Sequence, residues 1–302
     1  MNTQIIGVAN HKGGVCKTTN AIHLAAALGE RGRKCLVIDL DGNLGLTQSF
    51  DIPVTKHGTF HMLLGEEQPE DVIISNESEQ ERMSRPGELI RLPKNVDVIP
   101  ANRRIEKFEE EFAGKEGMEF VAPFDTLQAP LTSLDGKYDY IFLDTAPSTG
   151  CLTVAAYKCA HWFIFSSTAE KLSVDALRRS LKDLVAAQNV NEQLRLLGVV
   201  MSQVDIRRKL ERSYIEKVGR DLEAAGGFGL FETVIPSRAV VAKASTLCVS
   251  LFDYEPQAQE LKTANEVRDL YRAAAKEIED RVSQGAEATP AEDDSVAEAV
   301  NG

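Results

Sequence analysis

The sequence predicts an α/β fold, a single domain over residues 1–281 with a mostly parallel, helix-covered sheet, followed by a disordered acidic C-terminal tail over 282–302. Three observations carry this prediction. An apolar run, QIIGVAN (4–10), stops at a glycine-rich loop, enters a helical stretch and continues into a second apolar run, KCLVIDLD (34–41). Strand, loop, helix and strand make one βαβ unit, and such units imply a parallel sheet. The runs are continuously apolar rather than alternating, as strands covered on both faces are. The alternation of strand and helix then repeats: YDYIFLD (138–144) and HWFIFSS (161–167) flank a helical stretch near 150–160, and LRLLGVVMS (194–202) and GLFETVIP (229–236) flank RKLERSYIEKVGRDLEAA.

The first helix, TTNAIHLAAALGERG, carries Ile22, Leu24, Ala25 and Leu28 at helical spacing and closes on Gly29 and Gly32. Between Phe50 and Leu134 the signal weakens to a helical turn (GTFHMLLGEE), short strands (GELIRL, NVDVIP) and an amphipathic stretch, RRIEKFEEEF. A final helix is predicted from about Pro256 to Val282. The tail after it is small, polar and acidic, with 5 acidic residues and no basic one from Val282 onward.

A composition of 43% hydrophobic and 26% charged residues is that of a soluble globular chain. No apolar run reaches the roughly 18–20 residues that span a bilayer, and MNTQIIGVANHKGG has neither the basic region nor the cleavage site of a signal peptide, so a cytoplasmic location is expected. Five widely spaced cysteines without a CxxC argue against a disulfide framework or a self-contained zinc site. The net charge of −12 opposes a polyanion partner, but between Lys171 and Lys243 there are 13 Lys/Arg against 9 Asp/Glu. Distribution, not the total, decides that question.

Lys12-Gly13-Gly14-Val15-Cys16-Lys17-Thr18-Thr19 lies after a strand and before a helix, the context of a phosphate-binding loop. Adjacent glycines let successive N–H groups point at phosphate oxygens, and the helix adds its positive dipole end. Lys17 is placed for the β- and γ-phosphates, the Thr18 hydroxyl for Mg²⁺ and Thr19 for the α-phosphate, so the chain reads as a P-loop NTPase domain that binds Mg-ATP. His11 stands where the usual loop has its first glycine, and Cys16 occupies another glycine position. A Cβ at Cys16 costs on the order of 1–2 kcal/mol if the backbone needs positive φ. Beside Lys17 its thiol is placed for a lowered pKa. The loop is expected to accept this small side chain.

Downstream, Asp39 and Asp41 end the second strand, and Asp144 ends the apolar run YIFLD. A buried strand delivering one carboxylate to the Mg²⁺ shell is a Walker B arrangement, so Asp144 is read as a metal ligand with Thr18.

The K-G-G-x-x-K-T order resembles the deviant Walker A loop of the ParA/MinD superfamily. Likeness to its ParA (Soj-like) partition ATPases covers most of residues 4–255, including NVDVIPANRRIEKFEEEF, APSTGCLTVAAYKCA, VVMSQVDIRRKLERSYIEKV and ETVIPSRAVVAKASTLCVSLFDYEP. The resemblance implies that Lys12 reaches the partner subunit's nucleotide across a homodimer, and that Asp41, the second aspartate of D-x-D, positions or activates the attacking water. Asp39 is then structural. Where relatives often continue D-x-D-P-Q, this chain has Gly42-Asn43, a freer loop. The resemblance further implies an ATP hydrolase that dimerises on ATP, binds duplex DNA without sequence preference, associates with the nucleoid and positions plasmid, chromosome or other cargo with a ParB-type partner. Basic residues of its last two blocks, here Arg207, Arg208, Lys209, Arg212, Arg238 and Lys243, are the expected DNA contacts; Arg178, Arg179 and Lys182 form a third basic group. A superfamily role in positioning a protein assembly, or as a membrane-linked regulator, is the alternative. A membrane-binding member would end in a basic amphipathic helix, and the acidic tail is the opposite, so no membrane partner is expected.

Overall fold

The apolar runs become strands buried along their length. In the computed structural model, which describes residues 2–54, 56–78, 83–85, 88–113, 122–225 and 228–287, the sheet comprises β1 (Gln4–Ala9), β2 (Cys35–Leu40), β3 (Val96–Ile99), β4 (Tyr140–Thr145), β5 (Trp162–Ser167), β6 (Arg195–Val204) and β7 (Ile235–Pro236). Their order is β3-β2-β4-β1-β5-β6-β7, and every pairing is parallel. β2, β4 and β5 are buried at all six positions, which is why their sequences do not alternate.

The helices that cover this sheet and shape its ligand-binding end include α1 (Lys17–Glu30), α2 (Gly45–Ser49), α3 (Cys151–Cys159), α4 (Lys171–Gln188), α5 (Lys209–Ala225), α6 (Ala239–Thr246) and α7 (Leu261–Glu287). On one face, Leu24 and Leu28 of α1 pack with Val240 of α6, Val267 and Tyr271 of α7, and Phe142 of β4. On the other, Tyr157 of α3, Leu177 of α4 and Leu222 of α5 pack with Phe165 of β5. Two-sided burial of a parallel sheet makes a three-layer sandwich.

Several boundaries differ from the sequence expectation. The final helix starts at Leu261 and continues to Glu287, past the expected tail boundary at Val282; residues 288–302 lie outside the described residues. GELIRL contributes only a two-residue strand, Glu88–Leu89, paired antiparallel with Met83–Arg85 away from the main sheet. GLFETVIP yields a two-residue strand, with an isolated bridge between Val199 and Leu230 before it.

β1 has β4 on one side and β5 on the other, and the chain crosses from one side of the sheet to the other here. In open α/β sheets, ligands bind beyond the carboxyl ends of the strands at such a switch point. The glycine loop leaves β1 at that end, and Asp39 of β2 stands in register with Asp144 of β4 beside it.

Candidate functional site

Asn10 and His11 anchor the loop that follows β1. The Asn10 amide donates to the Ser166 carbonyl of β5 at 2.6 Å, and its Oδ1 accepts from the Lys12 N–H at 2.9 Å. His11, in place of a glycine, ties the loop to α4: its N–H donates to Ser180 Oγ at 3.2 Å and its Nε2 lies 2.5 Å from Asp183 Oδ2. Gly14 adopts φ 75°, and Cys16, the residue capping α1, adopts φ 66° and ψ 27°. The positive φ foreseen for Cys16 is therefore present, a conformation costing on the order of 1–2 kcal/mol for an L residue.

The thiol, however, does not behave as expected from its neighbour Lys17. Burial pushes it up to about 11, and its side-chain partner is Gln203. The lowered pKa anticipated for Cys16 is thus corrected: desolvation without a facing cation disfavours the thiolate.

Lys17 is buried, and its ammonium donates to the Lys12 carbonyl at 3.3 Å. Burial lowers its pKa, while Asp144 and then Asp41 oppose that shift. The Thr18 hydroxyl donates to Asp144 Oδ2 at 2.6 Å. Burial, with Asp39 next to it, pushes Asp144 up to about 8.

Asp144 Oδ1 has no hydrogen-bond partner although it is fully buried. A buried carboxylate oxygen without a donor fits a cation ligand. Three carboxylates, from Asp39, Asp41 and Asp144, share this end of the sheet with one ammonium, from Lys17. Among the described residues no group of three or more His, Cys, Asp or Glu forms a metal cage. One hydroxyl and one carboxylate, completed by phosphate oxygens and water, suit Mg²⁺.

Asp39 has a different task. Its carboxylate accepts from the Asp41 N–H (3.1 Å), the Thr47 N–H (3.0 Å) and the Thr47 hydroxyl (2.6 Å), joining the end of β2 to α2. Burial still raises it to about 6. Asp41 Oδ1 accepts from the Asn43 N–H and side-chain amide, both at 2.9 Å, which orients the carboxylate. Gly42 does not occupy the left-handed region open to glycine, since its φ is not positive. It supplies space: a Cβ there would lie 2.6 Å from Glu106 Cγ.

Lys12 is held within its own chain. Its ammonium lies 2.7 Å from Glu170 Oε2 and 3.0 Å from Ser173 Oγ, at the start of α4. With the Lys12 and Glu170 side chains 30% and 66% exposed, the pair contributes about 0–1 kcal/mol and is readily exchanged for another anion.

Beyond Thr19 a cavity of about 240 Å³ opens between α1 and α6, lined by Cys16, Thr19, Gln203, Ser237, Arg238 and Tyr271 among others. His23 braces its floor. Its Nδ1 lies 2.6 Å from the Thr19 carbonyl, its Nε2 lies 3.0 Å from the Leu251 N–H, and its ring stacks on Tyr271 at 4.9 Å. A donor at Nδ1 and an acceptor at Nε2 define the neutral tautomer. Sequence reading missed Asn10, His23 and Gln203; only Gln203 left a trace, as a long polar residue next to last in the largely apolar run of β6.

The basic residues singled out by sequence are exposed, but several are paired. Arg207 makes a two-pronged contact with Asp205 at 2.8 Å, and Arg208 reaches Glu211 at 3.2 Å. Arg212 donates to the Ile206 carbonyl at 2.8 Å, and Arg238 to the Ser237 carbonyl at 3.0 Å. Lys243 pairs with Glu260 and Arg178 with Asp221. Lys209 begins α5 beside them. No described helix is long and apolar enough to cross a membrane.

Known proteins resemble this chain in sequence and in structure. Residues 3–196 match the family described as an AAA domain. An uncharacterised protein of Mycobacterium tuberculosis is 31% identical over 281 residues, 92% of this chain and 79% of its own length. The chromosome partitioning protein ParA of Caulobacter vibrioides is 29% identical over 271 residues, covering 87% of this chain and 93% of that protein. The crystal structure of cobyrinic acid a,c-diamide synthase from Mycobacterium smegmatis with bound ATP analogue and magnesium superposes with a TM-score of 0.65 at 26% identity, over 83% of this chain and 93% of that one.

Proposed function

The chain belongs to the ParA/MinD superfamily of deviant Walker A ATPases, and we propose that it is a partition ATPase, which hydrolyses Mg-ATP, dimerises on ATP and binds duplex DNA non-specifically through its basic ridge. The observation that carries the nucleotide reading is the buried Asp144 carboxylate, bonded to Thr18 through one oxygen and without a donor on the other.

In this reading the N–H groups of residues 13–19 and the Lys17 ammonium hold the phosphates. Thr18 and Asp144 would hold Mg²⁺, which would supply charge neutralisation for phosphoryl transfer. Asp41, oriented by Asn43, aligns the attacking water. The cavity beyond Thr19 takes the nucleoside, since it opens where the α-phosphate would leave the loop. Lys12 exchanges Glu170 for the partner subunit's phosphates, at little cost because the existing pair is half-exposed. A ParB-type partner stimulates hydrolysis and thereby releases DNA.

DNA contact rests on the exposed cluster of Arg207, Arg208, Lys209 and Arg212, together with the exposed Arg238 and Lys243. The Arg207 and Arg208 side chains are 85% and 71% exposed, so their pairs with Asp205 and Glu211 contribute little and yield to phosphate oxygens. Fluorescence polarisation with random duplexes across a salt series tests this. ATP-dependent binding insensitive to sequence is expected. Replacing both Arg207 and Arg208 by Ala should weaken every sequence alike and reduce the salt slope by about two. Absence of ATP-dependent binding at low salt would remove the partition role and leave a superfamily ATPase with another task.

A further inference from the structure

Two residues at the edge of the cavity beyond Thr19 hold left-handed backbone although neither is glycine: Cys16 at φ 66° and Gln203 at φ 57°. This conformation is unfavourable for L residues, and when imposed by the surroundings it often marks a functional position. The two come from different elements, Cys16 from the cap of α1 and Gln203 from the end of β6, and their side chains meet at the cavity. The strand fixes Gln203 from both sides. Val204 is buried, and Ser202 is buried with its hydroxyl accepting from the Asn20 amide at 3.0 Å. Gln203 itself remains exposed, so its amide stands at the mouth rather than in the core.

We propose that Gln203 recognises the nucleoside of the bound nucleotide, and that Cys16, occupying a glycine position of the phosphate loop, acts as a positioning residue for it. This rests on the assignment of the loop to a nucleotide. A primary amide presents both a donor and an acceptor, matching the mixed edge of a nucleobase or the hydroxyls of a ribose. The thiol has the Gln203 side chain as its hydrogen-bond partner, and Cys16, Gln203 and Tyr271 line the same cavity. A glycine at position 16 would leave the Gln203 amide without this neighbour.

The test separates nucleoside from phosphate. The affinities of the full chain for Mg-ATP and for Mg-tripolyphosphate, which has the phosphates and no nucleoside, are measured by competition against a fluorescent nucleotide. Gln203→Ala should lower the ratio of ATP to tripolyphosphate affinity by roughly three- to tenfold, the loss of one neutral hydrogen bond. Cys16→Gly, which also relieves the left-handed strain and so does not threaten folding, should lower the ratio in the same direction. Cys16→Ser should hold it within about twofold, and the double variant Cys16→Gly/Gln203→Ala should do no worse than Gln203→Ala alone, as coupled residues behave. An unchanged ratio in Gln203→Ala, or equal shifts of both ligands in Cys16→Gly, would overturn the inference while leaving the phosphate loop in place. Failure of the wild-type chain to bind either ligand would overturn the nucleotide reading and this inference with it.

Discussion

The nucleotide end of the sheet and the basic ridge at the start of α5 handle charge in opposite ways. At the first, Lys17, Asp39, Asp41 and Asp144 are all buried, and burial moves the titration of Lys17, Asp39 and Asp144. At the second, Arg207 and Arg208 stand in solvent, bonded to acids within four residues along the chain. Buried charges are costly to leave without partners, so their positions are over-determined by strands and caps. Exposed pairs contribute almost nothing and can change partners freely. A site that must hold one geometry suits the first environment; a surface that must meet any phosphate backbone suits the second.

Substitutions should therefore separate the two regions by effect size. Lys17→Ala removes the ammonium proposed to hold the phosphates, and nucleotide affinity by titration calorimetry should fall roughly 10–10²-fold, the scale of a lost charge-assisted bond. A loss under about fivefold would mean the lysine lies outside the binding geometry.

His23 tests the buried region through pH. Its pKa is lowered from 6.5 to about 4 by burial. The unfolded chain thus binds a proton between pH 6.5 and 4 that the folded chain refuses, so stability should fall as pH falls through that window, by up to about 3 kcal/mol. In His23→Ala that part of the slope should vanish when urea unfolding is compared at pH 4 and 7; an unchanged slope would assign it to other groups.

At the ridge, Arg207→Ala and Arg208→Ala should each change stability by less than about 0.5 kcal/mol while altering the salt dependence of DNA binding. A thermal shift equal to that of a core substitution would erase the contrast.

The same difference explains what could be read from the sequence. The phosphate loop was legible because its function constrains consecutive residues between a strand and a helix, and Asp144 because an apolar run ends on it. The task of Asp39 was only partly legible, since it depends on Thr47 and on register with Asp144 across two strands. Glu170 as the partner of Lys12 is 158 residues away and left no local pattern. The side of the loop to which Cys16 turns depends on one backbone torsion, and nearest-neighbour reasoning from Lys17 gave the wrong direction for its thiol. The pairing of Arg207 with Asp205 went unread, although in DIRRKLER acids stand two and three residues from the arginines. The surface looked more basic by count than it is in space.

The most direct test of the central claim is phosphate release from Mg-ATP by the wild-type chain and by Asp41→Ala, with ATP affinity measured on the same samples. An aligned water is lost while Lys17, Thr18 and Asp144 remain, so turnover should fall by about 10²–10⁴-fold with affinity held within about threefold. Wild-type turnover in Asp41→Ala would contradict the account.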